Sequence, residues 1–394
     1  MSKTVIKPTV KPSLPIILAA VALAVLVMVV LIINHNLPIT YEMYNSETIA
    51  YERGKVTEIL SEQTEEAPGM PGWELGNQRL SVRIQTGALK GQEIQLDNNL
   101  STTHNVHVRT GQSVVIKTDR PENTEPYYTV YSYNRMPGLI AVGVIFVIFM
   151  LAVGQFKGFK SVLGLAISLF FILAFLLPAI YRGWSPILMS VLTVIIIVTF
   201  SLLLLNGFTR KTAVAIVAAA AGVMIAALFF LLLSALLNLS GYNLSEAEEL
   251  IIISQNTGLQ IGQVLFAGVL ISSLGAVMDT TLSIASALYE MRALHPDLPG
   301  KALFHSGIVI GRDMIGTMCQ TLILAFVGSA IATLLVLVSY GTQFHQFVSS
   351  DYVAIEVAQA ISGSLAIIFA VPLTAALCAL PQRKCKNAVR VTAR

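Results

Sequence analysis

Charged residues are scarce in this sequence. Only 12% of the 394 residues are Asp, Glu, Lys or Arg, whereas 55% are hydrophobic. A soluble domain carries about 25% charged residues. A larger soluble core cannot absorb the difference, because the surface of a water-soluble protein needs polar cover. The composition therefore excludes an ordinary soluble enzyme and indicates an integral membrane protein.

Cysteine and the common cofactor motifs are also scarce or missing. The three cysteines are Cys319, Cys378 and Cys385, and none lies in the polar stretch 34–136, so no disulfide framework is predicted there. No CxxC, HExxH or nucleotide-binding loop occurs in the sequence. We therefore predict no metal and no cofactor. The net charge of +3 is too small to indicate nucleic-acid binding.

Long apolar runs are abundant. A helix needs roughly 20 apolar residues to cross a hydrocarbon layer of about 30 Å. Eight runs fit: 14–33, 137–154, 161–181, 184–205, 212–238, 259–288, 313–340 and 354–380. The first run is long for a signal peptide and lacks the small residues of a cleavage site, so we predict an uncleaved anchor.

Lysine and arginine in the short connections predict the orientation of these spans. With the N-terminus inside, the inner segments hold fifteen such residues and the short outer loops hold only Arg182. We therefore predict eight spans with both chain ends in the cytoplasm. The domains are then a cytoplasmic tail 1–13, an anchor 14–33, an extracytoplasmic domain 34–136, a seven-span domain 137–380 and a basic cytoplasmic tail 381–394. The basic tail either enforces this topology or also binds anionic lipid.

The extracytoplasmic stretch 34–136 alternates polar and apolar residues with the period of β-strands. The predicted strands are 54–60, 80–85, 92–96, 106–108, 113–117 and 127–133, and 61–78 reads as a mobile loop. Short strands in this number are typical of a small all-β barrel, OB-like in size. Four tyrosines, Tyr127, Tyr128, Tyr131 and Tyr133, indicate either ordinary sheet packing or a binding surface.

A polar stripe runs along the sixth span. Its members recur every three or four residues, which places them on one face of a helix. They are Ser272, Gly275, Asp279, Ser283, Ser286 and Glu290. Lipid cannot satisfy such a stripe, so it must face protein or water. A carboxylate at membrane depth is a functional candidate, whereas the small residues alone also fit helix packing.

The seventh span repeats this pattern more weakly. Asp313, Gly316 or Thr317, and Gln320 or Thr321 recur at helical spacing. The candidate ion or substrate path consists of Asp313, Thr317 and Gln320 of this span with Ser272, Ser273, Gly275, Asp279 and Ser283 of the sixth span. The preceding segment 301–313 is apolar, contains Gly307 and Gly311, and ends at Arg312 and Asp313. We predict that it forms a re-entrant or interfacial half-helix with a gating role, because broken helices frame many transport sites.

Two blocks of sequence resemble the YibE/F family of bacterial membrane proteins. The first is Gly275 to Asp279 continued by Ser283 to Leu288, and the second is Gly311-Arg312-Asp313 with the residues up to Ala325. Cys319-Gln320 departs from the family pattern, which puts a polar role for Gln320 in doubt. The resemblance implies a multi-pass protein of the bacterial plasma membrane, and no defined activity. Shorter relatives of the seven-span block imply a heteromeric partner, beside the alternative of a homo-oligomer.

Three functions are open on the sequence. The leading hypothesis is a transporter or permease that uses Asp279 in an ion or small-solute path and is not an enzyme. The second is a non-catalytic subunit of an envelope complex that binds a partner through its outer domain. The third is a di-aspartyl intramembrane protease, which the residues around Asp279 and Asp313 support poorly because the GxGD and Pro-Ala-Leu motifs are missing.

Overall fold

The structure is a computed structural model that describes residues 14–39, 41–42, 48–121, 124–244 and 246–380. The predicted tails 1–13 and 381–394 lie outside the described residues. The chain divides into two compact units. Residues 42–153 form the first unit, and the described residues up to 41 and from 154 onward form the second.

The first unit contains one curled antiparallel sheet. Its strands are β1 (Ile49–Glu66), β2 (Glu74–Ile84), β3 (Glu93–Leu100), β4 (Ser113–Asp119) and β5 (Tyr127–Tyr133), in the order β3-β2-β1-β4-β5. The long strand β1 pairs with both neighbours, and Gly54 is opposite Ile84 on β2 and Val114 on β4. A Cβ on Gly54 would lie 2.6 Å from Cγ1 of Val82, so only glycine fits where these strands meet.

Alternating apolar residues of this sheet form the core of the first unit. The fully buried side chains include Val56, Leu80, Val82, Val114 and Ile116, each no more than 1% exposed. On β2 the exposed Arg83 lies between the buried Val82 and Ile84, as the period of a strand requires. The tyrosines of β5 divide in the same way: Tyr128 and Tyr133 pack against the core, whereas Tyr127 and Tyr131 are exposed.

Two predictions about this unit are wrong. The stretch 61–78 is not a loop, because β1 and β2 pair through it from Ser61 opposite Arg79 to Glu66 opposite Glu74. Backbone pairing holds this polar hairpin together, a source of order that side-chain hydrophobicity does not reveal. Residues 106–108 are not a strand; Val106 and Val108 are buried beside the sheet without joining it. The predicted OB-like topology is not confirmed.

The second unit is helical. Its helices are α1 (Leu14–Asn36), α2 (Met136–Phe170), which continues through a π-helical turn (Phe171–Leu176) into α3 (Leu177–Tyr181), α4 (Pro186–Asn206), α5 (Arg210–Leu237), α6 (Ala247–Thr257), α7 (Val264–Leu294), α8 (Gly300–Ser339), α9 (Phe344–Val348) and α10 (Asp351–Ala379). One of these helices, α2, begins in the sheet unit and enters the second unit at residue 154.

Seven helical segments of the described ranges are long and apolar enough to cross a membrane. The eight predicted spans are therefore not confirmed as a count. Two of them, 137–154 and 161–181, fall in one segment of 46 residues, Met136–Tyr181. Inside it the backbone leaves the helical conformation at Gln155, whose φ is 47° and ψ is −132°. The other predicted spans each coincide with one helix.

Helices α4, α5, α7 and α10 form the buried core of the helical unit. Small residues let these helices approach closely. Close packing of this kind holds membrane helices together, because the hydrophobic effect does not drive helices together within lipid. At Gly222 of α5, a Cβ would lie 3.0 Å from Cβ of Ala370 and 3.4 Å from Cγ1 of Val277. This core fixes the rotation of α7, and thereby which of its faces is covered.

The predicted half-helix over 301–313 is wrong as a separate element. Helix α8 runs without interruption through all 40 residues from Gly300 to Ser339. Gly307 and Gly311 are buried against α10 and do not break the helix. A glycine in a membrane helix keeps its backbone hydrogen bonds, and its missing side chain allows a neighbouring helix to approach.

Candidate functional site

The polar stripe of α7 lies on the outer surface of the single chain. Ser272, Gly275, Asp279, Ser283 and Glu290 are exposed, and Ser286 is half-buried. The prediction that these residues share one helical face is consistent with this pattern of exposure. The stripe therefore does not point into the core of the helical unit.

The apolar face of α7 explains this orientation. Val277, Ile284 and Leu288 are at most 1% exposed and belong to the core of the helical unit. Thr280 and Thr281 are fully buried on the same side, and their hydroxyls donate hydrogen bonds to the backbone carbonyls of Ala276 and Met278. The helix thus satisfies its buried hydroxyls internally and leaves the carboxylate of Asp279 on the opposite side.

The polar residues of α8 are exposed as well. These residues are Arg312, Asp313, Gly316, Thr317, Gln320 and Thr321. The Thr317 hydroxyl donates to the Met314 carbonyl at 3.1 Å, and the Thr321 hydroxyl donates to the Thr317 carbonyl at 2.8 Å. Within the described ranges, Arg312 and Asp313 form no ion pair, with each other or with another residue. Polar groups are thus exposed on two consecutive apolar helices.

Three of the predicted site residues are buried instead: Ser273 of the predicted path, and Gly307 and Gly311 of the predicted half-helix. Ser273 is fully buried, and its hydroxyl donates to the Leu270 carbonyl at 3.2 Å. A Cβ on Gly307 would lie 2.7 Å from Cβ of Ala375, and a Cβ on Gly311 would collide with Val371. These contacts are helix packing. The predicted site residues therefore separate into an exposed set on α7 and α8 and a buried set at the contact with α10.

Residues of α10 beside Ser273 were missed by the sequence reasoning. A Cβ on Gly363 would lie 3.5 Å from Cβ of Ser273 and 2.7 Å from Cδ2 of Leu322 on α8. Ser362 and Ser364 flank this glycine, and their hydroxyl oxygens are buried without a hydrogen-bond partner among the described residues. The signal was a Ser-Gly-Ser triplet in the middle of an apolar run.

Another group outside the predicted site residues is Glu356 of α10. It lines an apolar groove between α8 and α10 together with Phe326, Val353 and Ile361. Its Oε2 atom is buried without a hydrogen-bond partner among the described residues. Glu356 is therefore a partly buried carboxylate of the helical unit with one oxygen atom that has no hydrogen-bond partner among the described residues.

The sheet unit gathers acidic and imidazole side chains that no sequence motif had indicated. Glu62 on β1, Glu74 on β2 and His107 place one donor atom each within 4.8 Å of one another. The hydrogen bond from His107 holds the pKa of Glu62 below its ordinary value of 4.5, partial burial opposes this shift, and a bond from Gln78 adds to it. The sequence prediction of no metal site rested on missing motifs and did not consider these three residues, which are far apart along the chain.

Comparison with known proteins agrees with the two-unit organisation. The profile of YibE/F-like proteins matches residues 142–384, and the profile of the YibE/F family N-terminal domain matches residues 44–133. No curated protein and no solved structure matches the chain. The first match alone covers more than half of the sequence, and the resemblance seen in the sequence motifs is confirmed. The chain is a membrane protein that belongs to the YibE/F family.

Proposed function

We propose that this protein is a permease of the bacterial plasma membrane that works as an oligomer, with the polar stripe of α7 lining an ion or small-solute path between subunits. The observation that carries the proposal is the exposure of Asp279 on the outer face of the helical unit. A carboxylate facing lipid is expensive and has no partner there. A second polar surface or a water-filled path removes this cost.

A second copy of the chain fits this surface. In a two-fold contact the same face of both subunits meets, so each stripe supplies the polar groups that the other lacks. The α7 stripe brings hydroxyls and a carboxylate, and α8 brings Arg312, Thr317 and Gln320, which supply both donors and acceptors. Interfaces of this kind are held by close packing of small residues and by hydrogen bonds between helices.

Disulfide crosslinking of single-cysteine variants tests the contact. In a chain whose cysteines have been replaced, Ser283→Cys should form a covalent dimer in native membranes under mild oxidation. The matched control is Leu232→Cys on α5, because Leu232 is 65% exposed and belongs to an apolar surface. Crosslinking at position 283 and not at 232 is the expected result. A Ser283→Cys protein that stays monomeric at native expression levels would overturn the proposed contact.

The alternative function is a non-catalytic subunit of an envelope complex. The same exposed stripe favours it, because a partner protein of the membrane covers polar groups as well as a second copy does. The shorter related membrane protein is the candidate for a hetero-oligomer. Crosslinks to a different polypeptide at position 283, together with silent transport assays on folded protein, would favour this alternative. No enzymatic activity is proposed.

The proposed topology has eight spans with both ends in the cytoplasm. A continuous helix of 46 residues would be about 69 Å long at 1.5 Å per residue, which is more than twice the hydrocarbon thickness. The non-helical backbone of Gln155 lies between the two predicted spans, and Lys157 and Lys160 follow it. A cytoplasmic turn at this point satisfies both the length and the positive charges.

The proposed fold of the sheet unit is an OB-like barrel. Strand β1 pairs with β2 in its second half and with β4 in its first half, as a strand does when one sheet curls into a partly open barrel. The edge strands β3 and β5 approach each other within 8 Å between Cα atoms, which brings the two ends of the sheet together. This fold supports a binding role in general and does not define a ligand.

A further inference from the structure

We propose that Glu62, Glu74 and His107 form a binding site for a divalent transition-metal cation, with Zn²⁺ as the ion that best fits these ligands. The Nε2 atom of His107 lies 2.6 Å from Oε1 of Glu62 and 3.3 Å from Oε2 of Glu74. One imidazole and two carboxylates are a ligand set that Zn²⁺ accepts, with a fourth position left for water. This site is independent of the proposed transport path.

The spacing of the three donor atoms suits a metal ion. In tetrahedral coordination with bonds of about 2.0–2.1 Å, two ligand atoms lie about 3.3 Å apart. The distance between His107 and Glu74 already has this value. Glu62 must withdraw by about 0.7 Å from His107 to reach the same spacing, a small movement for the end of a half-exposed side chain.

The charge of the cluster also favours a cation. Among the described residues, no lysine or arginine forms an ion pair with Glu62 or Glu74, and His107 is their shared partner. Two carboxylates therefore face at most one positive charge. The other acidic residues of this sheet that form ion pairs do so with arginine, as in the pairs of Glu93 with Arg83 and of Glu52 with Arg120. A bound dication would neutralise the excess charge at this cluster.

Outer-shell hydrogen bonds position the two carboxylates. Gln78 is fully buried, and its Nε2 donates to Oε1 of Glu62 at 2.9 Å. The Thr64 hydroxyl donates to Oε2 of Glu74 at 2.8 Å. Metal ligands are usually oriented by such partners, and losing one typically weakens metal binding 10- to 100-fold. A chance contact between charged surface residues would not include a fully buried amide, such as that of Gln78, that holds one of them in place.

The backbone that carries His107 is fixed as well. The Tyr133 hydroxyl donates to the His107 carbonyl at 2.6 Å, and the side chain of Gln78 bonds both the N–H and the carbonyl of Val108. The segment 106–108 is thereby held beside the sheet although it is not a strand. Because the side chains of the three ligands are 27–37% exposed, an ion can reach the site from solvent.

Metal titration of the full-length protein in detergent tests the site. After treatment with EDTA and its removal, the wild type should bind one Zn²⁺ per chain at this cluster in competition with a chromophoric chelator. Mg²⁺ and Ca²⁺ at the same concentration should not compete, because they prefer sites made of oxygen ligands alone. Zn²⁺ should also raise the unfolding temperature of the protein, since a ligand that binds only the folded state stabilises it.

Substitutions separate this cluster from adventitious zinc binding. Glu62→Gln and His107→Gln should each lower Zn²⁺ affinity by at least 100-fold, and Thr64→Val should lower it about 10-fold through Glu74. The matched control is Glu93→Gln, which removes an exposed carboxylate from the same sheet and should leave affinity unchanged. Zinc affinity that is the same in wild type, Glu62→Gln and His107→Gln would overturn the proposal, as would a folded wild type that binds no zinc. Far-ultraviolet circular dichroism shows that each variant is folded, and Thr64→Val retains all three ligands should a ligand variant fail to fold.

Discussion

Gly307 of α8 lies so close to Ala375 of α10 that a Cβ built on the glycine would be 2.7 Å from the Cβ of the alanine. Such a separation is well below van der Waals contact, and the backbone of α10 stands behind the alanine. Gly307→Ala should therefore push the two helices apart. Overpacking of this kind costs about 1–3 kcal/mol.

Thermal unfolding of the purified protein in detergent measures this effect. Gly328→Ala on the same helix is the control, because a Cβ at position 328 meets no atom within 4 Å. We expect a lower unfolding temperature for Gly307→Ala and an unchanged one for Gly328→Ala. Equal unfolding temperatures in the two variants would mean that Gly307 has more room than the structure gives it.

Asp279 should control transport if the proposed path is correct. Asn has nearly the same shape as Asp but can neither carry a proton nor neutralise a cation, so Asp279→Asn should lose the current by at least tenfold. Solid-supported-membrane recordings against a panel of ions and small metabolites provide the measurement. The control is Asp297→Asn, in the exposed connection between α7 and α8. A panel that gives current in wild type and equally in Asp279→Asn would remove Asp279 from the path.

The features of this site that could be predicted are those set by residues close together in the sequence. The helical spacing of Ser272, Gly275 and Asp279 is contained in one stretch of sequence, so their common face could be predicted. Whether that face points into the protein or out of it depends on how α7 packs against α4, α5 and α10. That packing joins residues distant in sequence, such as Val277 and Gly222, and no periodicity contains it.

The two glycines of α8 show the same limit. The sequence predicts a half-helix over 301–313, because this short apolar segment contains Gly307 and Gly311 and broken helices frame many transport sites. The neighbours of these two glycines, Ala375 and Val371, lie far along the chain, so the close helix contact was invisible in the sequence. The cluster of Glu62, Glu74 and His107 escaped notice for a related reason, because Glu62 and His107 are 45 positions apart. Metal motifs recognised from sequence depend on short spacings.

The proposed cytoplasmic turn near Gln155 predicts that residue 157 is cytoplasmic. In a cysteine-free chain, Lys157→Cys should be protected from a membrane-impermeant maleimide in intact cells and labelled after permeabilisation. Asn134→Cys, which precedes α2, should be labelled in intact cells. If 136–181 crossed the membrane as a single span instead, residue 157 would be buried in lipid and resist labelling in both conditions.

Acid should weaken the sheet unit through Glu93. The hydroxyls of Thr57 and Ser81 donate to Oε1 of Glu93 at 2.6 and 2.9 Å, and the bond from Thr57 contributes most to lowering the pKa of this carboxylate below its ordinary value of 4.5. A group with a lower pKa in the folded state stabilises the protein above its unfolded pKa, and this contribution is lost as the pH falls through the folded pKa.

The stabilising effect of Glu93 should therefore be complete at neutral pH and decline below about pH 4.5. Urea unfolding followed by the fluorescence of Trp73, in a Trp184→Phe background, reports on the sheet unit. The difference in unfolding free energy between wild type and Glu93→Gln should shrink as the pH is lowered from 7 to 4. Thr57→Val should reduce the same pH dependence. A difference that stays constant over this range would contradict the role assigned to these hydrogen bonds.

Gln78 should be the polar side chain on which the sheet unit depends most. Its Oε1 accepts hydrogen bonds from the Val108 N–H and from Nδ2 of Asn98, each at 3.1 Å, and its Nε2 donates to the Val108 carbonyl at 3.1 Å. Gln78 and Asn98 are both fully buried. Gln78→Leu keeps the approximate shape and leaves these partners in an apolar site without water. Each unsatisfied buried group costs about 1–3 kcal/mol, so a total loss of about 3 kcal/mol is expected.

The exposed residue Gln95 provides the control, because its side chain lies on the surface of β3 and accepts a single long bond of 3.5 Å from Arg79. Gln95→Leu should change the unfolding free energy by less than about 0.5 kcal/mol. The double variant Gln78→Leu with Asn98→Leu should recover part of the loss, since replacing both partners of a buried hydrogen bond leaves fewer groups unpaired than replacing one. Additive losses in the double variant would show that Gln78 and Asn98 stabilise the segment 106–108 separately and would contradict the coupling expected from their shared hydrogen bond.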